Sequence, residues 1–347
     1  MDTIKNFQLT CGAKFDSGFP NISAFQGFEN EYQAATNGRA IFDLTGLNIL
    51  QATGKDCSDL FHRMTMNEIR KMQSGDIVVN AFSNAKGKLI DVFFQIKLEN
   101  GYHLITSNGQ GKKVAEWLDR YIFIEEVEYE DVTSQFSLFL LTGNNAGEVF
   151  GDEFPAFHLK SASLNGNEFE LAAIHALLPK GLLLIVPAES ALDVYKNLIH
   201  ENQYIPASAT AFHALRIEQG VPIYGNEFTT DDVNPYEAGL KDYVSYTKGC
   251  YIGQEVIARL DTYDKVKYEY ARLSVSGPSL QNLPAAILAD QKEVGVLTSS
   301  AQNAQDNSKS LAIGRIRRKA LQENQKFHII SGTKSFDVKV ISSTFHV

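Results

Sequence analysis

Apolar residues return at two different intervals along this chain, and the change of interval divides it. Gly101 to Ser107 (GYHLITS) is a mostly apolar run, followed by Val114, Trp117, Leu118, Tyr121 and Ile122 at helical spacing. Gly181-LLLIVP leads in the same way into Leu192, Tyr195, Leu198 and Ile199. Each stretch predicts a strand, a polar turn and an amphipathic helix, so two α/β lobes of similar build are expected. A further helix is predicted from Asp56, an N-cap candidate, with Leu60, Phe61 and Met64 turned inward. From Tyr268 onward the period shortens. EYARLSVSG, EVGVLTSS, KFHIISG and FDVKVISSTF are alternating runs separated by Gly, Asn, Ser and Pro, with no room for a helix of any length. They predict a small β-barrel or sandwich, with Ser299 to Ser310 as a polar loop.

Composition bounds the class. The 347 residues, 44% apolar and 21% charged, exceed one ordinary core and imply two or three folded domains. The longest apolar run, Leu182 to Val186, is far short of the ~20 residues of a membrane helix. The opening MDTIKNFQLT is neither a secretory signal nor a transit peptide, so a cytoplasmic, membrane-free protein is expected. A net charge of −9 argues against nucleic-acid binding. Arg315, Arg317, Arg318 and Lys319 are the local exception and read as a solvated strand edge, or else as a seat for an acidic ligand tail.

The three cysteines, Cys11, Cys57 and Cys250, are odd in number and form no CxxC pair. Neither a disulfide framework, a zinc site nor a cluster held by this chain alone is indicated. The histidines have no metal-ligand spacing, and His62 and His213 read as helix-face residues. Gly54-Lys55 and Gly111-Lys112 lack the rest of a phosphate loop, and Gly143, Gly147 and Gly151 read as turn and packing glycines.

The densest chemistry lies in NPYEAGLKDYVSYTKGCYIGQEVIAR, residues 234–259. Gly249 and Gly253 bracket Cys250 and imply a tight backbone. Lys248 could raise the thiolate fraction of Cys250; the alternative is a buried Cys in a loop entering a helix at Gln254. KGCYIGQEVIAR resembles the signature of the YgfZ family, K-G-C-[YF]-x-G-Q-E-x-x-x-R. Residues 41–54, 80–92, 215–227 and 294–300 are similar in order and spacing to YgfZ proteins and to the glycine-cleavage T-protein.

That resemblance implies an α+β fold: two ferredoxin-like lobes and a C-terminal β-barrel around a central folate-binding hole. The lobes would be 1–49 with 131–232, and 50–130. Residues 233–267 would join them as the signature segment, and 268–347 would form the barrel. It implies tetrahydrofolate or a related reduced folate as ligand, iron–sulfur client proteins or assembly factors as partners, and a monomer. The implied function is folate-dependent help in iron–sulfur assembly or repair, with tetrahydrofolate-dependent aminomethyl transfer as the alternative.

Particular residues follow from the same resemblance. Asp91 matches the T-protein's catalytic Asp; otherwise it is a solvent-facing strand residue. Cys250 and Lys248 complete the catalytic candidates. Leu183 stands where the T-protein has a pterin-binding Glu, so that contact is lost. Phe212 replaces an Arg and is either a stacking ring or core. Glu218 and Glu237 are carboxylates for the pterin, or else a helix cap or partners of Arg216. Arg259 is suited to folate's glutamate tail, or to an ion pair with Glu255. Gln254 belongs to the signature as a folate contact.

Overall fold

The computed structural model describes residues 3–25, 27–151, 154–178, 180–323 and 325–342. The chain forms two compact units. One holds Met1–Phe61, Ile69–Val79 and Phe93–Phe212, the other His62–Glu68, Asn80–Val92 and His213–Val347. The chain therefore passes between units five times.

The first unit opens with helix α1 (Ile4–Thr10), a ribbon of β1 (Lys14–Phe15) and β2 (Ile22–Ala24), and α2 (Phe28–Asn37). Its six-stranded sheet runs β10 (Lys160–Leu164), β11 (Asn167–Ile174), β12 (Gly181–Pro187), β9 (Phe136–Thr142), β3 (Ala40–Asp43), β13 (Ile205–Ala207). The apolar run predicted as a strand is β12, hydrogen-bonded on both sides by antiparallel neighbours. A strand covered on both faces needs no polar alternation. Leu182, Leu184 and Val186 pack with Val194, Tyr195 and Leu198 of α5 (Ala191–His200).

A five-stranded sheet runs β5 (Ile77–Ser83), β6 (Leu89–Leu98), β7 (Gly101–Thr106), β4 (Asn48–Thr53), β8 (Glu128–Asp131). After β7 comes α4 (Gly111–Leu118), which buries Val114, Trp117 and Leu118. It is shorter than its apolar period, because Asp119–Tyr121 tightens into a 3₁₀ turn. Helix α3 (Cys57–Met64) starts one residue after Asp56 and buries Leu60, Phe61 and Met64. The Asp56 carboxylate accepts the Glu126 amide at 2.8 Å rather than an amide of its own helix.

The second unit holds the C-terminal barrel, closed in the order β14 (Tyr268–Ser276), β17 (Lys309–Arg317), β16 (Lys292–Gln302), β15 (Ala285–Ala289), β18 (Phe327–Ser331), β19 (Lys334–Ser342). Leu273, Val275, Ile287, Leu297, Ile316, Ile329 and Val338 fill it. This matches the expected class, two ferredoxin-like sheets and a barrel. Two details differ from the sequence reading. A five-residue helix, α8 (Arg318–Gln322), follows β17, and the strands β16 and β17 consume both ends of the expected loop 299–310. The barrel has no edge, since β14 bonds both β17 and β19. Arg315 is accordingly not an edge residue: its guanidinium pairs with Asp232 at 3.0 Å and lies over the Tyr268 ring.

A dry ion pair ties the end of α6 (Ala209–Gln219) to the barrel. Arg216, fully buried, donates from Nη1 to Glu227 Oε2 and to the Val221 carbonyl, both at 3.0 Å, from Nη2 to Ser299 Oγ at 2.6 Å, and from Nε to His213 Nδ1 at 2.7 Å. Ser299 Oγ donates to Glu227 Oε1 at 2.5 Å, and the Ile223 amide to Oε2 at 2.9 Å. Removing one charge leaves the other buried and uncompensated. Glu227→Gln, and more so Glu227→Ala, is expected to lower the unfolding free energy in urea, the latter by about 3–5 kcal/mol.

In the first unit, His103 on β7 faces Gln51 across the β4 register, with Nε2 3.0 Å from Gln51 Oε1. Burial pulls its pKa from 6.5 down to about 4. Between those values the unfolded chain holds the extra proton, so the His103 contribution to stability is intact above pH 6.5 and is lost as pH falls toward 4. His103→Gln is expected to flatten that part of the melting-temperature profile relative to the wild type. Identical slopes for the two proteins would show that His103 does not contribute.

Candidate functional site

The signature segment rests on the turn between β5 and β6. Asn84 organises that turn: its Oδ1 accepts the amides of Lys86 and Lys88 at 2.8 and 3.0 Å. Gly87 (φ +67°) closes it, and a Cβ there would stand 3.2 Å from side-chain carbons of Val256 and Ile257. From the other side, Gly253 (φ +83°) precedes helix α7 (Gln254–Thr262), and a Cβ there would fall 2.5 Å from the Asn84 carbonyl. Ser83 Oγ donates to the Ile252 carbonyl at 2.6 Å. Gly253 thus lets backbone approach backbone, and Gly87 makes room for the side chains of α7.

Leaving this turn, β6 is flanked by residues 230–233. The Leu89 amide donates to the Val233 carbonyl and the Asp231 amide to the Leu89 carbonyl, both at 2.9 Å, while Thr230 Oγ1 donates to the Ile90 carbonyl at 3.1 Å. Leu89 packs with Val233, Ala238, Leu240, Tyr251 and Ile257. Asp91 follows on β6 and is wholly buried, which overturns its reading as a solvent-facing strand residue.

Lys248 is the buried residue of an otherwise exposed stretch; Tyr246, Thr247, Gly249 and Cys250 are all exposed. Its ammonium donates to the Thr65 and Asn67 carbonyls at 2.6 and 2.7 Å, just beyond the C-terminus of α3, where a cation is favoured. His62 Nε2 is 2.6 Å from the Lys248 carbonyl, with the proton on Nε2. These contacts give Lys248 an anchoring geometry, in place of the expected support for a thiolate. Cys250 stands in solvent on the anchored loop, so the reading of it as a buried cysteine falls.

The remaining candidates scatter by role. Phe212, in the first unit, is fully buried and meets Phe42 and Phe19 edge-on, at 5.7 and 5.9 Å between centroids. It is core, with no face left for a ligand to stack on. Leu183 is likewise wholly buried in β12. Glu237 forms a reciprocal cap with Asn234, whose Oδ1 accepts the Tyr236 and Glu237 amides at 3.0 Å while Glu237 Oε2 accepts the Asn234 amide at 3.4 Å. Lys88 Nζ lies 3.7 Å from the same carboxylate and donates to the Asp232 carbonyl at 2.9 Å. Glu218 is half-buried; its carbonyl accepts from Arg272, and Arg216 pairs with Glu227 instead. Arg259 is exposed and pairs with Glu255 at 2.7 Å, one helical turn away. Gln254 is half-buried at the first position of α7, its amide donating to the Tyr251 carbonyl.

The structure thus places Asp91, Glu218, Glu237, Lys248, Cys250, Gln254 and Arg259 in one unit and leaves Phe212 in the other. Sequence reasoning missed Lys88, Asp232 and Glu227. Glu227 ends the stretch 215–227 already picked out by resemblance, and an acid closing that stretch behind a buried-type Arg was the available signal.

Residues 5–248 match the family profile described as the GCVT N-terminal domain. The chain belongs to the GCVT N-terminal domain family. The GCVT match covers both sheets and the hairpin turn and ends on Lys248. Among GCVT-related proteins, an aminomethyltransferase of Caldanaerobacter subterraneus is 22% identical over 340 residues, covering 93% of this chain and 88% of the relative. One of Chlorobium limicola is 26% identical over 290 residues, 79% of each chain. A chloroplastic protein of Arabidopsis thaliana described as a candidate transferase is 29% identical over 309 residues, 86% of this chain and 70% of the relative. The crystal structure of glycine cleavage system aminomethyltransferase T from Bartonella henselae shares the fold, with a TM-score of 0.88 over 99% of this chain and 97% of that one at 16% identity.

The anchoring role of Lys248 separates it from Cys250 in a denaturation experiment. Lys248→Met is expected to cost about 2 kcal/mol through two charge-assisted bonds to carbonyls. Cys250→Ala should change stability by less than about 0.5 kcal/mol. If Lys248→Met instead left stability alone and slowed alkylation of Cys250, the lysine would be serving the thiol.

Proposed function

We propose that this GCVT protein catalyses tetrahydrofolate-dependent one-carbon transfer of the aminomethyltransferase type, with Asp91 as the working carboxylate. The observation that carries the reading is the complete burial of Asp91 on β6, directly beyond a turn clasped by the signature segment. Enclosing a carboxylate is costly unless it is paired or hydrogen-bonded, and enclosed carboxylates concentrate at functional sites. The aminomethyltransferase relatives, whose matches span most of both chains, support the same reaction class.

In such a transfer, two folate nitrogens bond the methylene carbon while its bonds to the carrier sulfur and to the departing ammonia break. The two folate N–H protons end on the thiol and the amine, and nothing is oxidised or reduced. A carboxylate beside the nitrogens orients the nucleophile and stabilises the cation that develops. Asp91 and Glu237 have the acceptor chemistry for a reduced folate; Leu183 and Phe212 do not serve the pterin edge or face.

A second reading, folate-dependent assistance to iron–sulfur enzymes, is favoured by the exposure of Cys250 and by the apolar Leu183. The two are separated by mixing the chain with aminomethylated carrier protein and tetrahydrofolate. The first reading expects methylene-tetrahydrofolate and ammonia in equal amounts. It also expects Asp91→Asn to slow turnover by about 10²–10⁴ with folinic acid still raising the melting temperature. No turnover with retained folate binding would sink it. The second would then be checked by Cys250→Ala and the activity of cluster enzymes in cells under oxidative growth.

A further inference from the structure

Two neighbouring side chains in the first unit stand almost entirely in water, Phe123 at 82% and Ile124 at 92% exposure. The next most exposed large apolar side chain among the described residues, Tyr263, reaches 63%. Isolated apolar residues at a surface are ordinary; an adjacent pair this exposed is not.

The backbone beneath them is held from both sides. Glu125 Oε2 accepts the amides of Phe123 and Ile124 at 3.0 and 3.2 Å. The Glu126 amide donates to Asp56, and its carboxylate pairs with Lys55. Gly54 lies so close that a Cβ would strike the Glu126 carbonyl. On the preceding side, the Trp117 and Tyr121 rings meet with centroids 5.0 Å apart, and Tyr129 donates to Asp119. The pair is therefore presented on a built support, as binding anchors are.

Its surroundings are predominantly acidic, with Lys55 and Arg120 as the nearby cations. Residues 119–131 carry six carboxylates, Asp119, Glu125, Glu126, Glu128, Glu130 and Asp131, against one guanidinium, Arg120. Glu128, Glu130 and Asp131 are exposed on β8, the outermost strand of its sheet. Acidic residues there discourage strand pairing with another chain. They also repel an anionic membrane surface and a second copy of this chain, whose net charge is −9.

We propose that the Phe123–Ile124 tip is a docking knob for a partner protein that offers an apolar pocket rimmed by lysine and arginine. The pocket takes the two side chains, and the basic rim meets the carboxylates and speeds encounter.

The test places photoreactive benzoylphenylalanine at position 124 of the full chain in its native cells, and at exposed Gln322 of the barrel as a control. An adduct is expected from position 124 and not from 322. The captured protein, made recombinantly, should bind the wild-type chain more weakly as salt rises. It should bind the double variant Phe123→Ser/Ile124→Ser at least about tenfold more weakly. That variant should melt no lower than the wild type, because both side chains are already in solvent. The proposal is overturned by the absence of an adduct, by an adduct between two copies of this chain, or by affinity indifferent to the double variant or to salt. Equal flotation of the tip with phosphatidylcholine vesicles and loss of it in the variant would overturn it as well.

Discussion

The second unit is organised around one guanidinium that has no water. Arg216 is enclosed, and each of its three nitrogens donates: to a helix residue, to the turn that follows, and to a barrel strand. Burial favours the neutral form of an arginine, and Glu227 opposes that pull with a full charge and a bidentate role of its own. Tyr270 reinforces the joint by donating to the Glu227 carbonyl, and Arg272 by donating to that of Glu218. A dry pair adds little net stability over an apolar one, yet it admits a single seating. Its seating matters downstream, because the chain leaves Glu227 to form the 230–233 segment that flanks β6 beside Asp91.

Much of the fold was legible in the pattern of apolar positions. The runs leading into α4 and α5, and the short alternating strands of the barrel, became the elements they predicted. What stayed hidden depended on closure and on pairing between distant positions. The charges of Arg315, Arg317, Arg318 and Lys319 suggested a strand edge but not that the barrel closes, so Arg315 read as an edge residue when it faces Asp232. Arg216 and Glu227 lie eleven residues apart, a spacing with no period of its own. Phe212 looked like a ligand contact because a substituted Arg drew attention to it; the aromatic edges of Phe19 and Phe42 that claim it lie far away in sequence. The glycines of the signature were read as marks of a tight backbone; Gly253 is one, against the turn at Asn84, while Gly249 has a positive φ and room around it.

Two candidate groups of one unit lie in opposite solvents. Asp91 sits in the interior, where a carboxylate responds strongly to any nearby charge; Cys250 stands in water on a loop that Lys248 pins from beneath. The sheet and barrel are those of the aminomethyltransferase fold. The exposed thiol and the buried carboxylate sit in different environments of one unit, so a change of solvent composition reaches Cys250 directly and Asp91 only through the protein around it.

The threading of the chain has its own consequence. Four of its five changes of unit fall inside α3, β5, β6 and α6, and the fifth lies in the connection between α3 and β5. Because the two units interleave along the chain, no single cut in a surface loop releases either of them intact.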